Sequence, residues 1–224
     1  MSGSLSHGKA QDVGAVGIDL DGLPGLGDSP ETSRLDPRTW FGADRRDLPL
    51  DLEIGSGKGT FLVQQAEAQP GVNYIGIEYA RAYWLHAADR CRRRGLTNVR
   101  LVHEDAGTFV SWRMPDGVMR VVHVYFPDPW PKKRHQKRRL IQAPFLRELH
   151  RVLSPGGEVR LVTDHDGYFT WMAEHAAEVA DQFTVEPFER SDAADGVEMV
   201  GTNFERKYRR EGRPFHAMTL RRID

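Results

Sequence analysis

Residues Tyr125 to Arg139 read Tyr-Phe-Pro-Asp-Pro-Trp-Pro-Lys-Lys-Arg-His-Gln-Lys-Arg-Arg, placing one acid, Asp128, in a proline-stiffened turn just before a dense basic run. Each proline fixes its own φ and pushes the residue before it toward extended backbone, so Phe126, Asp128 and Trp130 are kept out of helix. The apolar run Val121 to Phe126 before the turn reads as a buried strand. Loops leaving the carboxyl ends of parallel strands are where open α/β sheets bind ligands. This pattern suits an active-site loop in which Asp128 faces the chemistry and Lys132, Lys133, Arg134, Lys137, Arg138 and Arg139 offer charge to phosphates. A charge run alone would more often be a solvated face.

A second stretch, Glu53-Ile-Gly-Ser-Gly-Lys-Gly59, is a glycine-rich turn between a strand and a helix. It lacks the Gly-x-x-x-x-Gly-Lys-Ser/Thr of a phosphate loop, and its third glycine comes one position early for the usual dinucleotide form. An acid two residues before the first glycine suits a cationic ligand better than a pyrophosphate. S-adenosylmethionine meets that description, since its sulfonium, ammonium and ribose hydroxyls all welcome carboxylates and glycines allow close backbone approach. Glu53, Gly55 and Gly57 are the candidates at the turn. Glu78, about twenty residues on, stands where an acid accepts from ribose hydroxyls, and Asp105 with Ala106 at a helix start suits the adenine amino group. Both acids could equally cap helices.

The elements that must position these groups follow from periodicity. Strands are predicted at Leu50–Ile54, Val72–Glu78, Asn98–His103, Val121–Phe126 and Glu158–Thr163, with helices at Thr60–Ala68, Ala80–Arg94, about Lys137–Leu153 and Gly167–Gln182. Phe183–Glu189 and Phe215–Arg221 read as a final strand pair. This alternation predicts an α/β, Rossmann-like fold with a mostly parallel sheet, helices on both faces and a C-terminal antiparallel pair. Glu53, Glu78, Asp105, Asp128 and Asp164 then gather along one sheet edge.

The acidic, glycine-rich residues 1–33 show no helical or strand period and are expected to form a disordered tail, with residues 34–224 as one domain. The chain has 224 residues with 39% apolar and 28% charged content and a formal net charge of −1, so a polyanionic partner must be met by local patches. The single cysteine, Cys91, excludes an intrachain disulfide framework and receives no role. None of the nine histidines falls in a metal-ligand spacing, so no metal is expected. No apolar run approaches the roughly 20 residues that span a bilayer, and a cytoplasmic location without membrane contact is expected.

Taken together, Glu53-x-Gly-x-Gly, Ile77-Glu78, Asp105-Ala106, the block Phe126 to Arg139, Thr163-Asp164 and Thr202-Asn-Phe-Glu205 resemble the bacterial tRNA (guanine-N7-)-methyltransferases, class I enzymes dependent on S-adenosylmethionine. The resemblance spans about Leu48 to Arg222. It implies methyl transfer to N7 of the guanosine conventionally numbered 46 in the tRNA variable loop. By the same resemblance Glu53, Gly55, Gly57, Glu78, Asp105, Ala106 and Asp128 line the cofactor site, and Asp128 is catalytic. Lys132, Asp164, Thr202, Asn203, Phe204 and Glu205 would touch the substrate, and Arg134, His135, Gln136, Lys137, Arg138 and Arg139 would hold RNA. Two features depart from the family: an acidic tail with Arg34, Arg38, Arg45 and Arg46 stands in place of a basic Arg-Gly-Arg segment, and Asn203 stands where Lys is common.

N7 of guanine carries a lone pair and no proton, so its attack on a sulfonium methyl needs no general base. Positive charge moves from sulfur to the purine, and a nearby carboxylate can stabilise and orient it. Asp164 and Glu205 could accept from the N1 and N2 protons of guanine. A second patch, Arg206, Lys207, Arg209, Arg210 and Arg213, is either an RNA contact or a solvated helix face. A small-molecule methyltransferase would leave the basic run idle, and an RNA-binding module that had lost its chemistry would not keep the glycine turn and Asp128 intact.

Overall fold

The computed structural model describes residues 11–192 and 194–224. Eight strands form one sheet: β1 (Gly17–Ile18), β2 (Leu50–Ile54), β3 (Asn73–Ile77), β4 (Val99–Val102), β5 (Met119–Tyr125), β6 (Leu153–Thr163), β7 (Phe183–Glu186) and β8 (His216–Arg222). Their spatial order is β1-β4-β3-β2-β5-β6-β8-β7. Neighbours from β1 to β6 pair in parallel, while β8 runs antiparallel to both β6 and β7. The order reverses at β2, where β3 leaves to one side and β5 to the other, which is the crevice position of doubly wound sheets.

The helices are α1 (Pro30–Ser33), α2 (Thr60–Ala68), α3 (Arg81–Arg93), α4 (Ala106–Thr108, continued by a wider turn to Arg113), α5 (Ala143–Val152), α6 (Asp166–Ala177) and α7 (Asn203–Arg210). Alternation along β2 sends Leu50, Leu52 and Ile54 into the larger core with α5 and α6, through Leu146, Leu149, Val152, Tyr168 and Met172. On the other side of the sheet, Leu62, Val63 and Ala66 of α2 and Trp84, Ala87, Ala88 and Cys91 of α3 pack over Tyr74, Val99 and Leu101. Asp51 and Glu53 of β2 and His123 and Tyr125 of β5 are all buried, and Glu53 is in register with His123. His123 Nδ1 lies 2.7 Å from the Tyr125 hydroxyl, and Arg120 holds Asp51 through two bonds of 2.9 and 2.7 Å.

The parallel sheet, the helices and the antiparallel C-terminal pair are as the periodicity predicts, with four local differences. The described part of the expected tail is packed: Gly17 and Ile18 pair with Leu101 and Val102, and Val16 is buried. Residues 1–10 lie outside the described residues. Two residues are too short a run to show a period, so this strand owes its existence to the exposed edge of β4. The helix expected from Lys137 begins instead at Ala143; Pro144 suits a first turn, and Lys133–Arg138 form a separate 3₁₀ turn. Strand β6 starts at Leu153, drawing Ser154 to Gly157 into a shifted register beside Met119. Helix α6 ends at Ala177 and strand β7 at Glu186, each before the limits read from sequence. Among the described residues, no helix is long and apolar enough to cross a membrane.

Candidate active site

Strand β2 delivers Glu53 to the carboxyl edge of the sheet, and the chain then turns through Gly55 (φ +81°) and Gly57 (φ +52°), both in the left-handed region that favours glycine. A Cβ on either glycine would meet no atom within 4 Å, so the turn presents bare backbone to open space. Gly55 N and Ser56 N donate to the Ile77 carbonyl at 2.9 and 3.1 Å, which ties the turn to the end of β3. Glu78, the residue directly after Ile77, accepts from Gly57 N and from Ala80 N, both at 2.8 Å. Its carboxylate thus braces the glycine turn and the start of α3 together.

Glu53 is buried, and its Oε2 has no hydrogen-bond partner. Burial pushes its carboxyl up to about 8; the charge of Glu78 adds to this and a bond from Ser56 opposes it. A buried polar atom left without a partner calls for a ligand or another explanation. Here a cation arriving at the turn would meet an acceptor already desolvated and waiting. These carboxylate acceptors therefore fit a positively charged, hydroxyl-bearing ligand.

Asp105 caps α4, accepting from Thr108 N at 2.9 Å, and is itself exposed, with the half-buried Ala106 beside it. Its neighbour Glu104 is buried against Arg113 and is structural. Asp128 is exposed and accepts no hydrogen bond among the described residues. The loop that carries it is strained: Phe126 (φ +54°) and Trp130 (φ +41°) occupy the left-handed region, not the extended one expected before proline. Such outliers cost on the order of 1–3 kcal/mol each and persist only where their surroundings hold them. Phe126 is held by Phe215, Tyr208 and Phe204, with ring centroids at 5.6, 5.7 and 6.5 Å. Arg138 lies 5.1 Å over the Trp130 ring, so Trp130 is a packing element of the turn.

Lys132 is exposed, and Arg134, His135, Gln136, Lys137 and Arg138 follow on the 3₁₀ turn. Arg139 departs from the expected RNA-contacting role. It is buried, donates to the carbonyls of Pro129 and Gly167 at 2.9 and 3.1 Å, and stacks 4.9 and 5.2 Å from the rings of Tyr168 and Trp171. Its planar, weakly hydrated guanidinium is used to close the loop.

The α7 segment is brought to this edge from far along the chain. Thr202 caps α7 by accepting from Glu205 N at 3.0 Å, and Asn203 donates to the Thr60 hydroxyl at 2.7 Å, directly after the glycine turn. Phe204 is exposed. Glu205 is turned inward: its two oxygens accept from Met199 N, Val200 N and Gly201 N and from Arg209, so the direct guanine contact expected of it is replaced by organisation of the 199–201 loop. Asp164 holds Arg213 at 2.7 Å. Arg206, Arg209 and Arg213 are paired with Glu198, Glu205 and Asp164, and exposed Lys207 lies 3.9 Å from Glu211, which leaves exposed Arg210 as the cation of that patch with no carboxylate partner among the described residues.

The ends of five parallel strands thus set Glu53, Glu78, Asp105, Asp128 and Asp164 along one edge. Sequence reasoning missed Thr60, whose hydroxyl also receives Arg90 at 2.8 Å, and the clamp made by Arg139, Tyr168 and Trp171. Only the position of Thr60 at a helix start hinted at either.

Residues 47–218 match the family described as a putative methyltransferase. The tRNA (guanine-N(7)-)-methyltransferase of Rhodopirellula baltica is 37% identical over 212 residues, covering 92% of this chain and 76% of the relative. That of Halorhodospira halophila is 38% identical over 205 residues, covering 90% and 87%. Among solved structures, the 16S rRNA methyltransferase KamB superposes with a TM-score of 0.56 at 16% identity, covering 82% of this chain and 94% of that one. The aminoglycoside resistance methyltransferase NpmB1 gives 0.52 at 17% identity, covering 78% and 87%. These two likenesses show the fold alone. With more than 30% identity over most of both chains, and with its glycine turn and acidic sheet edge inside the matched segment, the chain belongs to the tRNA (guanine-N7-)-methyltransferase family.

Proposed function

We propose that the chain transfers the methyl group of S-adenosylmethionine to N7 of a guanosine in tRNA, at position 46 of the variable loop. The observation that carries this reading is the pairing, on one sheet edge, of a buried carboxylate oxygen without a partner at Glu53 and an exposed, unbonded carboxylate at Asp128 that leads into a basic run. When bound, the cofactor supplies an electrophilic methyl on a sulfonium. Glu53 and Glu78 hold its cationic and hydroxyl-bearing parts, Gly55 and Gly57 let backbone approach, and Asp105 with Ala106 takes the base.

Asp128 orients the guanine and stabilises the positive charge that develops on it, while the strained loop keeps the carboxylate in place. No side chain is asked to remove a proton, because N7 has none. Holding nucleophile and methyl in line can supply about 7–11 kcal/mol of the barrier. Lys132 and the exposed part of the 134–138 run neutralise phosphates; Asp164, Thr202, Asn203 and Phe204 border the substrate, with Glu205 acting through the 199–201 loop. The names of the relatives supply the substrate class.

The test is incubation of the protein with unmodified tRNA transcripts and methyl-labelled S-adenosylmethionine, followed by reduction and aniline cleavage, which cuts at N7-methylguanosine. Cleavage at the variable-loop guanosine is the expected result. Label elsewhere in the tRNA would refute the position, and no label in tRNA would refute the substrate.

A further inference from the structure

Arg34, Arg38 and Arg45 stand before the first long strand, in the place of the family's basic Arg-Gly-Arg segment. Each is occupied: Arg34 with Asp116, Arg38 with Asp36, and Arg45 with Asn73 and the Pro70 carbonyl. A different surface carries a concentration of positive charge. On the outer side of α3, His86, Arg90, Arg93 and Arg94 line an open depression of about 420 Å³. Lys58, exposed on the glycine turn, lies close enough for its charge, with those of Arg90 and Arg93, to add to burial in holding the His86 imidazole below its usual range.

The carboxylates facing this group are Asp89, which pairs with Arg92 and Arg93 at 2.9 Å, Glu67, which pairs with Arg94 at 2.9 Å, and Asp12, which lies 3.4 Å from Arg92. Five cations therefore stand against three carboxylates, Lys58, Arg90, Arg92, Arg93 and Arg94 against Asp12, Asp89 and Glu67. Basic residues at a helix C-terminus complement its dipole, and that accounts for some of them. Arg90 in that last turn is also fixed sideways, its Nη1 donating to the Thr60 hydroxyl at 2.8 Å and the Lys58 carbonyl at 3.3 Å. The same hydroxyl receives Asn203 at the start of α7. Exposed Lys207 and Arg210 on α7 and the arginines of α3 thus flank one rigid junction on the helical face that includes α2.

We propose that the depression on α3 is a phosphate-binding pocket for the substrate RNA, separate from the Lys132 to Arg138 run. A tRNA is a rigid polyanion much larger than the reacting nucleotide, so its backbone can reach a second site while one base is held at Asp128. The surface pairs of Arg93 and Arg94 are weak and exchangeable, and a phosphate would displace their carboxylates at little cost. This rests on the reading of the chain as a tRNA-modifying enzyme.

The test compares the full-length chain with the double variants Arg93→Gln/Arg94→Gln and Arg93→Lys/Arg94→Lys, by filter binding of an unmodified tRNA transcript across a salt series. The Gln pair is expected to weaken Kd about tenfold near 0.1 M salt and to reduce the log–log salt slope by between about 1 and 2, while the Lys pair keeps the wild-type slope. S-adenosylmethionine affinity by titration calorimetry stays unchanged in both. An unchanged Kd and slope in the Gln pair would overturn the pocket while leaving tRNA recognition standing. Weakened binding with an unchanged slope would also overturn it, because that marks a structural effect. Failure of the wild-type protein to bind tRNA would overturn the functional reading and the pocket together.

Discussion

Arg139 Nε lies 2.9 Å from the carbonyl oxygen of Pro129, so a residue ten positions downstream fixes the turn that presents Asp128. The same guanidinium reaches the Gly167 carbonyl at the start of α6, binding the loop to the helix that follows β6. Arg139→Lys keeps the charge and loses the planar fork. Stability is expected to fall by about 1–3 kcal/mol in urea unfolding, from carbonyls left unsatisfied. Single-turnover methylation is expected to slow by about 10²-fold through misplacement of Asp128, while the salt slope of tRNA binding stays the same. A changed slope with normal turnover would restore Arg139 to phosphate contact.

Asp128 contributes no hydrogen bond to the fold among the described residues, so replacing it should report on chemistry alone. Asp128→Asn is expected to lower the single-turnover rate about 10²–10³-fold with tRNA affinity within a few-fold of wild type. Rapid-quench kinetics beside filter binding separates the two quantities. Turnover near the wild-type rate would remove Asp128 from the mechanism.

Glu53 makes stability depend on pH. Its carboxyl is raised by burial from 4.5 to about 8, so the folded state prefers the protonated form. The stabilising contribution is complete below about pH 4.5 and is lost as pH rises through about 8. Unfolding free energies at pH 5, 6.5 and 8 are expected to show this group adding a fall of a few kcal/mol that Glu53→Gln abolishes. Binding of a cationic ligand should ionise Glu53 and release a proton near pH 7, which calorimetry in buffers of different ionisation enthalpy would read. Equal pH slopes in both proteins would contradict the assignment.

Glu205 is a structural carboxylate with three backbone donors and an arginine on it. Glu205→Gln is expected to destabilise the protein by about 2–4 kcal/mol, since donors built for an anion are left under-paired. The thermal midpoint should fall, while tRNA binding measured below that midpoint changes less than for the Lys132→Gln variant. A variant of wild-type stability with altered preference for guanine over adenine would return Glu205 to the base edge.

The sequence by itself determined the parallel sheet and the acidic edge, because both are written locally. Alternating apolar runs name strands such as Leu50–Ile54, glycine spacing names the turn at Gly55 and Gly57, and parallel strands bring their carboxyl ends to one side whatever the loops do. It did not determine which charges remain free. Arg138 and Arg139 are identical neighbours in sequence, yet one is exposed over Trp130 and the other is buried between Tyr168, Trp171 and two carbonyls. The same holds for Glu205, and for Thr60, where residues from α3 and α7 meet on one hydroxyl. Only the tertiary structure decided these, since a charged side chain is committed to the fold or left to a ligand according to partners far away in the chain, and no local period encodes them.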